Sequence, residues 1–459
     1  MSTCCMNWLC AACVCALPPS AVSTQPQGAN LVSNGDFRGP VVNGLPADWV
    51  VKTARVALSP EIRVVDRHGQ RYLCMAGGGN PDCVGGVSTQ VSIVAGKTYW
   101  FRVRFRKSAD VNPIQHLLFE VAAQGNSQPI VEFHQLPEDR AEGEARVTFP
   151  GAGAVRAEVH LMYRLCAAGE VWIEHVSLIE TDPVPPRWAR IACTGGPAAL
   201  EQYGLPAFSK ALDVMGHAKV DLALLPEYFA GEKVRETLTG PSATLMSEKA
   251  AAYKMYVAGT IGLYDPASDR LFNAALLFDR TGKLIGRYDK IHLYGPELSV
   301  GGVTPGDDVP VFQTDFGKVG FMTCYDSWFV DVAELVALRG ADLLLFPSLN
   351  YDRALMHARA MDNCISIVAS SRAGGCGVWD AEGKELLPTA RAEDPAARFK
   401  DIVKLQVEGL DILVVTLDLN FPPTGGTRAP AIRTKRHLAN QRSGLEDRIR
   451  REKSRWWVD

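Results

Sequence analysis

Apolar and polar positions follow two regimes along the chain. Between residues 29 and 182 the apolar residues come in short runs: GKTYWFRVRF at 96–105, HLLFEVAA at 116–123, ARVTFP at 145–150, VRAEVHLMY at 155–163 and GEVWIEHVSLIE at 169–180. Several alternate with polar residues, the period-two pattern of half-buried antiparallel strands, and Gly, Pro, Asn and Asp punctuate them. Many short strands with turns between them predict an all-β sandwich or jelly roll.

The pattern changes after TDPVPPRW at 181–188, a proline-rich connector. RIACTG at 190–195 reads as a strand, and DLALLPEYF at 221–229 begins as one that is apolar on both faces. MYVAGTIGLYD, NAALLFDRTGKLIGRYDKIHL, VGFMTCYD, ADLLLFPS, CISIVASSRAG and DILVVTLDL supply more. Helical spacing fits 198–217, 243–254, 329–339 and 353–363. Apolar strands alternating with helices predict a sheet covered by helices. The expected organisation is a leader at 1–28, a β-sandwich domain at 29–182, a linker at 183–189, an α/β domain at 190–420 and a tail at 421–459.

A chain of 459 residues has room for two such domains, and 47% hydrophobic with 22% charged residues is a globular balance. The formal net charge of −3 gives no sign of a nucleic-acid or other polyanion partner, and none is expected. Residues 4–17 are uncharged and mostly apolar, with prolines and small residues after them, as in an export signal. Secretion or periplasmic export is the expectation, and a cytoplasmic location if the segment is not a signal. Cys13, after Cys10-Ala11-Ala12, is a candidate lipid-anchoring position. No other stretch approaches a membrane span, so no transmembrane anchor is expected. The tail carries ten Lys or Arg against four Asp or Glu and ends in Trp456-Trp457, which reads either as a solvated extension or as an arm packing on a partner subunit through the tryptophans.

Five of the twelve cysteines lie in the leader. The other seven match no zinc spacing, so no metal is expected. Cys74 and Cys83 flank a turn-rich stretch. They read either as a local disulfide of an exported protein or as two half-buried thiols.

Three residues of the second region carry candidate chemistry. Glu227 follows an apolar strand and Pro226, Lys290 sits near the end of GRYDKIHL, and Cys324 ends VGFMTC. Functional groups of open α/β sheets gather beyond the strand ends, where these three can meet. A thiol is a weak nucleophile until its proton is taken. A carboxylate can accept that proton and deliver it to a leaving amine, and a fixed cation can stabilise an oxyanion. Cys324, Glu227 and Lys290 fit those roles in that order, and the backbone N–H of Tyr325 is a natural second oxyanion donor.

The segments Pro226-Glu227, Lys290-Ile291-His292-Leu293 and Cys324-Tyr325-Asp326, spaced 63 and 34 residues apart, resemble the nitrilase superfamily of carbon–nitrogen hydrolases. Pro305-Gly306, GADLLLFPS at 340–348 and Arg359-Ala360-Met361-Asp362-Asn363 extend the likeness over roughly 187–420. The resemblance implies an αββα four-layer sandwich, assembly into dimers or higher homo-oligomers, and hydrolysis through a cysteine thioester without metal or cofactor. It places Glu297 as a second glutamate that positions Lys290 or the substrate. Asp326 is followed by Ser327-Trp328-Phe329 where many members read Arg-Phe-Pro, so Tyr325, Asp326 and the Asn350 loop become candidate substrate-shaping positions. The Cys-Tyr-Asp motif points to amides or N-carbamoyl compounds more than to nitriles.

NLVSNGDFRG at 30–39, Trp49, AGKTYWFRVRF and GEVWIEHVSL resemble galactose-binding-like carbohydrate-binding modules of jelly-roll type. That implies a glycan partner met through exposed aromatics, with Trp49, Trp100 and Trp172 as either platforms or core. The competing readings are a non-catalytic glycan-binding protein on a nitrilase-like scaffold, true nitrile hydrolysis, and acyl transfer to an amine.

Overall fold

The computed structural model describes residues 28–420, except 68, 131, 197–203 and 388–398. The leader, Cys13 and the basic tail with Trp456 and Trp457 lie outside the described residues.

Residues 50–181 form two antiparallel sheets. One has the order Glu132–Gln135, Arg140–Thr148, Thr98–Lys107, Glu170–Thr181, Gln70–Ala76, Glu61–Arg67. The other has the order Val50–Lys52, Val84–Ala95, Gly153–Arg164, Leu117–Ala123, Asn126–Pro129. Successive side chains of a strand point to opposite faces, so alternate residues meet between the sheets. Tyr99, Phe101, Val103 and Phe105 from one sheet share a core with Ala157, Val159, Leu161 and Tyr163 from the other.

Of the three tryptophans, Trp49 belongs to the core between the sheets, and Trp100 is covered on the outer face of its sheet. Trp49 is buried with its ring centroid 5.7 Å from that of Phe37. Trp100 is buried too, with the guanidinium groups of Arg102 and Arg146 at 4.1 and 3.8 Å from its ring centroid and its indole N–H donated to Glu144. Cys74 and Cys83 do not pair. Both are free and buried, Cys83 Sγ 3.6 Å from the carbonyl of Cys166 and Cys74 Sγ 3.9 Å from the Glu170 carboxylate.

Trp188 to Asp418 contribute a twelve-stranded sheet folded into two layers. The first layer runs Leu284–Asp289, Arg270–Phe278, Tyr256–Asp265, Leu222–Leu224, Trp188–Gly195, Leu410–Asp418, Phe399–Val407. The second runs Gly375–Trp379, Ser366–Ser371, Leu343–Ser348, Lys318–Phe321, Val311–Gln313. A single residue pair, Gly195 with Ser371, joins them. A Cβ on Gly195 would stand 2.4 Å from the backbone carbon of Gly375, so the junction has room for hydrogen alone.

The strand residues explain the layering. Ala189, Ile191, Cys193, Leu222 and Leu224 face the second layer, while Ala192, Ala223 and Leu225 face helices. Both faces are covered, which is why these strands read as unbroken apolar runs. Helices Gly204–His217 and Pro241–Tyr253 cover the outer face of the first layer through Phe208, Met215, Met246 and Ala250. Helices Asp331–Leu338 and Arg353–Asn363 cover the second through Val332, Val336, Met356 and Ala360. Gly320 faces Val336 so closely that a Cβ would lie 2.6 Å from its methyl carbon. The result is helix, sheet, sheet, helix. Among the described residues no helix is long and apolar enough to cross a membrane.

Candidate active site

Each candidate side chain leaves the end of a strand. Leu222–Leu224 runs into Leu225-Pro226-Glu227, Leu284–Asp289 into Lys290, Lys318–Phe321 toward Cys324, and Leu343–Ser348 into Leu349-Asn350. Leu222–Leu224, Lys318–Phe321 and Leu343–Ser348 each run parallel to a neighbour, so their carboxyl ends share one side of the sandwich. There they border a cavity of about 1200 Å³ lined by Glu227, Lys290, Glu297, Cys324, Tyr325 and Asn350 among others.

Glu227 is fully buried, yet every oxygen has a donor. Its Oε1 accepts from Lys290 Nζ at 2.9 Å and Asn273 Nδ2 at 2.7 Å, and its Oε2 accepts from the backbone N–H of Leu349 at 2.9 Å. Lys290, equally buried, also donates to Glu297 Oε2 at 2.7 Å. Glu297 rides on the short helix Gly295–Ser299, where its Oε2 accepts the N–H of Tyr294 at 2.8 Å and its Oε1 accepts from Asn273 at 2.8 Å and from the Tyr228 hydroxyl at 3.0 Å. Burial alone would neutralise the ammonium. The charges of Glu227 and Glu297 outweigh it and hold Lys290 well above the usual lysine range. Burial would likewise raise Glu297, and the bonds from Lys290, Asn273 and Tyr294 bring it below the usual carboxylate range instead.

Cys324 is half-buried and opens a tight turn, Cys324–Trp328, with φ of +46°. That left-handed backbone is costly for a side chain with a Cβ and is retained where neighbours impose it. Its Sγ is 3.9 Å from the carbonyl oxygen of Asn350. Burial and then the negative charge of Glu227 push the thiol up to about 12, against the pull of Lys290. The resting group is therefore a neutral thiol that needs a base before it can attack.

Asp326 does not line the cavity. It is fully buried and accepts from the Tyr288 hydroxyl at 2.6 Å, the Thr323 N–H at 2.9 Å and the His292 N–H at 2.8 Å. It thus ties the cysteine turn to the segment after Lys290. Arg359, also buried, donates to the carbonyl of Ser327 at 3.2 Å and holds the same turn from the helix side. Tyr325 presents its ring to the cavity, edge-on to Tyr294 at 5.5 Å. Asn350 lines the wall, and its carbonyl also accepts from Ser348 Oγ at 2.6 Å.

Three contributors were absent from the expected set: Asn273, Tyr228 and the N–H of Leu349. Asn273 alone had a signal, since it is the polar residue that opens the apolar run NAALLF. Among the described residues no group of three or more His, Cys, Asp or Glu is placed to hold a metal ion.

Residues 188–420 match the model of the carbon–nitrogen hydrolase family, and the chain belongs to that family. A probable nitrilase of Schizosaccharomyces pombe is 34% identical over 171 residues, 34% of this chain and 62% of that protein. An omega-amidase of Saccharomyces cerevisiae is 29% identical over 193 residues, 39% of this chain and 64% of its own length. A nitrilase of Pyrococcus abyssi is 30% identical over 224 residues, 45% of this chain and 84% of that protein. The chain spans less than two thirds of the length of the first two.

Proposed function

We propose that this hydrolase cleaves a carboxamide or N-carbamoyl bond through a thioester on Cys324. Glu227 takes the thiol proton as sulfur attacks the carbonyl carbon. Lys290 and the N–H of Tyr325 receive the oxyanion. The carbon–nitrogen bond breaks as Glu227 returns the proton to the leaving amine. Water, deprotonated by Glu227, then opens the thioester, releases the acid and restores the thiol. Glu297 positions Lys290.

The observation that carries this reading is the placement of one buried carboxylate, fixed by three donors, on the same cavity as the Cys324 thiol. The test is ammonia release from a panel of amides and N-carbamoyl amino acids by the wild type and Cys324→Ala. Loss of all release at an unchanged Tm supports it, and an active alanine variant overturns it.

The same proposal takes the N-terminal sandwich as a galactose-binding-like module that holds the hydrolase near a glycan. With Trp49 in the core and Trp100 covered by Arg102 and Arg146, half-buried Trp172 is the most accessible of the three to meet a sugar. Retention of residues 29–182 on a polysaccharide gel, lost in Trp172→Ala, tests this.

A further inference from the structure

Strand Leu343–Ser348 ends on a serine whose hydroxyl has no part in the mechanism above. Ser348 is fully buried. Its Oγ donates to the carbonyl oxygen of Asn350 at 2.6 Å, and the Cys324 thiol points at that same oxygen from 3.9 Å. The hydroxyl and the sulfur flank one acceptor, and Ser348 Oγ lies within hydrogen-bonding reach of Cys324 Sγ. A serine at a strand end commonly does no more than close a turn onto nearby backbone. Ser348 has a second neighbour, the sulfur that must become an anion.

The surroundings of Cys324 Sγ change value when it ionises. A thiol can aim its weak S–H donor at the Asn350 carbonyl. A thiolate has no hydrogen to give, and the carbonyl then turns its negative end toward the sulfur. The charged groups facing the sulfur are Glu227 and Lys290. Glu227 becomes neutral as it takes the proton, and Lys290 Nζ is already donating to Glu227 and Glu297. The N–H of Leu349 reaches the sulfur, yet it also donates to Glu227 Oε2 at 2.9 Å. Ser348 differs from these, because its O–H can rotate while the oxygen stays in place. A hydrogen bond to an anion is roughly twice as strong as one between neutral groups, so a thiolate outcompetes the Asn350 carbonyl for that hydrogen.

We propose, resting on the thioester reading above, that Ser348 is a further catalytic residue whose hydroxyl turns from the Asn350 carbonyl to Cys324 Sγ as the thiol ionises. No proton leaves the serine. In acylation the thiol proton passes to Glu227, the sulfur bonds to the carbonyl carbon, and the Ser348 O–H steadies the sulfur between those events. Once the sulfur is held in a thioester, a weak acceptor, the O–H returns to Asn350. In hydrolysis the oxygen of water, its proton taken by Glu227, adds to the acyl carbon. The carbon–sulfur bond then breaks with its electron pair on sulfur, and the O–H turns again to the leaving thiolate until Glu227 gives it a proton.

The experiment compares Ser348→Ala with Ser371→Ala. Ser371 is also fully buried and holds the same loop, donating to the Leu349 carbonyl at 3.0 Å. Two rates are read in each variant and in the wild type. The first is modification of Cys324 by methyl methanethiosulfonate at pH 8, followed by mass spectrometry of the peptide that holds it. That rate follows the thiolate fraction and needs no turnover. The second is kcat/KM on the best amide of the panel. Ser348→Ala should slow modification at least threefold and cut kcat/KM at least tenfold, with kcat falling. Ser371→Ala should be modified within twofold of the wild-type rate. Slowing of less than threefold in Ser348→Ala, or slowed modification at an unchanged kcat/KM, would overturn the proposal. So would equal slowing in the two variants, or loss of the folded state in Ser348→Ala, either of which makes the hydroxyl a tether of the loop. Slowing specific to Ser348→Ala, with no amide hydrolysed by the wild type, would support the contact with sulfur and overturn the hydrolase reading instead.

Discussion

Replacing Lys290 by methionine is the perturbation whose outcome the structure defines most tightly. The methionine keeps the volume of the stem and removes the charge. Glu227 and Glu297 would then face each other across a shared donor, Asn273 Nδ2, with no cation between them. Breaking a buried ion pair by deleting one partner costs about 3–5 kcal/mol. In a region of this size about 1 kcal/mol moves Tm by 2–4 °C, so a fall of about 6–20 °C is expected at pH 7.5. The loss should depend on pH with a definite sign. Without Lys290 the burial of Glu297 is no longer offset by the ammonium, which raises that carboxyl, so the folded state binds more protons at intermediate pH. The deficit is then largest at pH 7.5 and shrinks as pH falls through the raised folded value. Lys290→Met combined with Glu297→Gln removes one of the two stranded charges, so it should be more stable than the sum of the single losses allows. The assay is thermal unfolding of wild type, both single variants and the double variant from pH 5 to 8. A Lys290→Met protein within 2 °C of wild type at every pH, or strict additivity in the double, would refute the electrostatic account of the cluster.

Two further outcomes are expected. Thiolate absorbance near 240 nm, taken as the difference between wild type and Cys324→Ala, should stay flat through pH 9 and rise only toward pH 12, because burial and Glu227 push the thiol up. A step near the ordinary value of about 8.5 would contradict this. Gly195→Ala should destabilise by at least about 2 kcal/mol, since its methyl would meet backbone atoms of Gly375 and Cys376 at 2.4 and 2.5 Å. Gly295→Ala, where nothing stands within 4 Å, is the control that should leave Tm unchanged.

Much of this fold was legible because its strands are chemically extreme. Runs such as ADLLLFPS are apolar on both faces, and the structure covers both faces of Leu343–Ser348. The alternating runs of the first region likewise became the strands of a two-sheet sandwich. Val84–Ala95 was missed because its sequence, VGGVSTQVSIVA, opens with glycines that signal turns. A side chain on Gly86 would meet the backbone oxygen of Leu161 at 2.0 Å, so that glycine serves close strand packing. At the site, Glu227, Lys290 and Cys324 stood out by motif. Asn273 did not, because a lone Asn within a strand gains meaning only when two carboxylates from distant segments converge on it. The work of Asp326 was hidden for the same reason. Its three donors come from residues 288, 292 and 323, which only the tertiary fold brings together.

The central claim is that Cys324 carries the acyl group during turnover. Acid quenching in the steady state with an amide that releases ammonia, followed by mass spectrometry of the peptide holding Cys324, tests it directly. The account predicts that peptide heavier by the acyl group, lightened by hydroxylamine treatment and absent as an adduct in Cys324→Ala. Sustained ammonia release with the Cys324 peptide unmodified throughout, or release by Cys324→Ala at the wild-type rate, would contradict it.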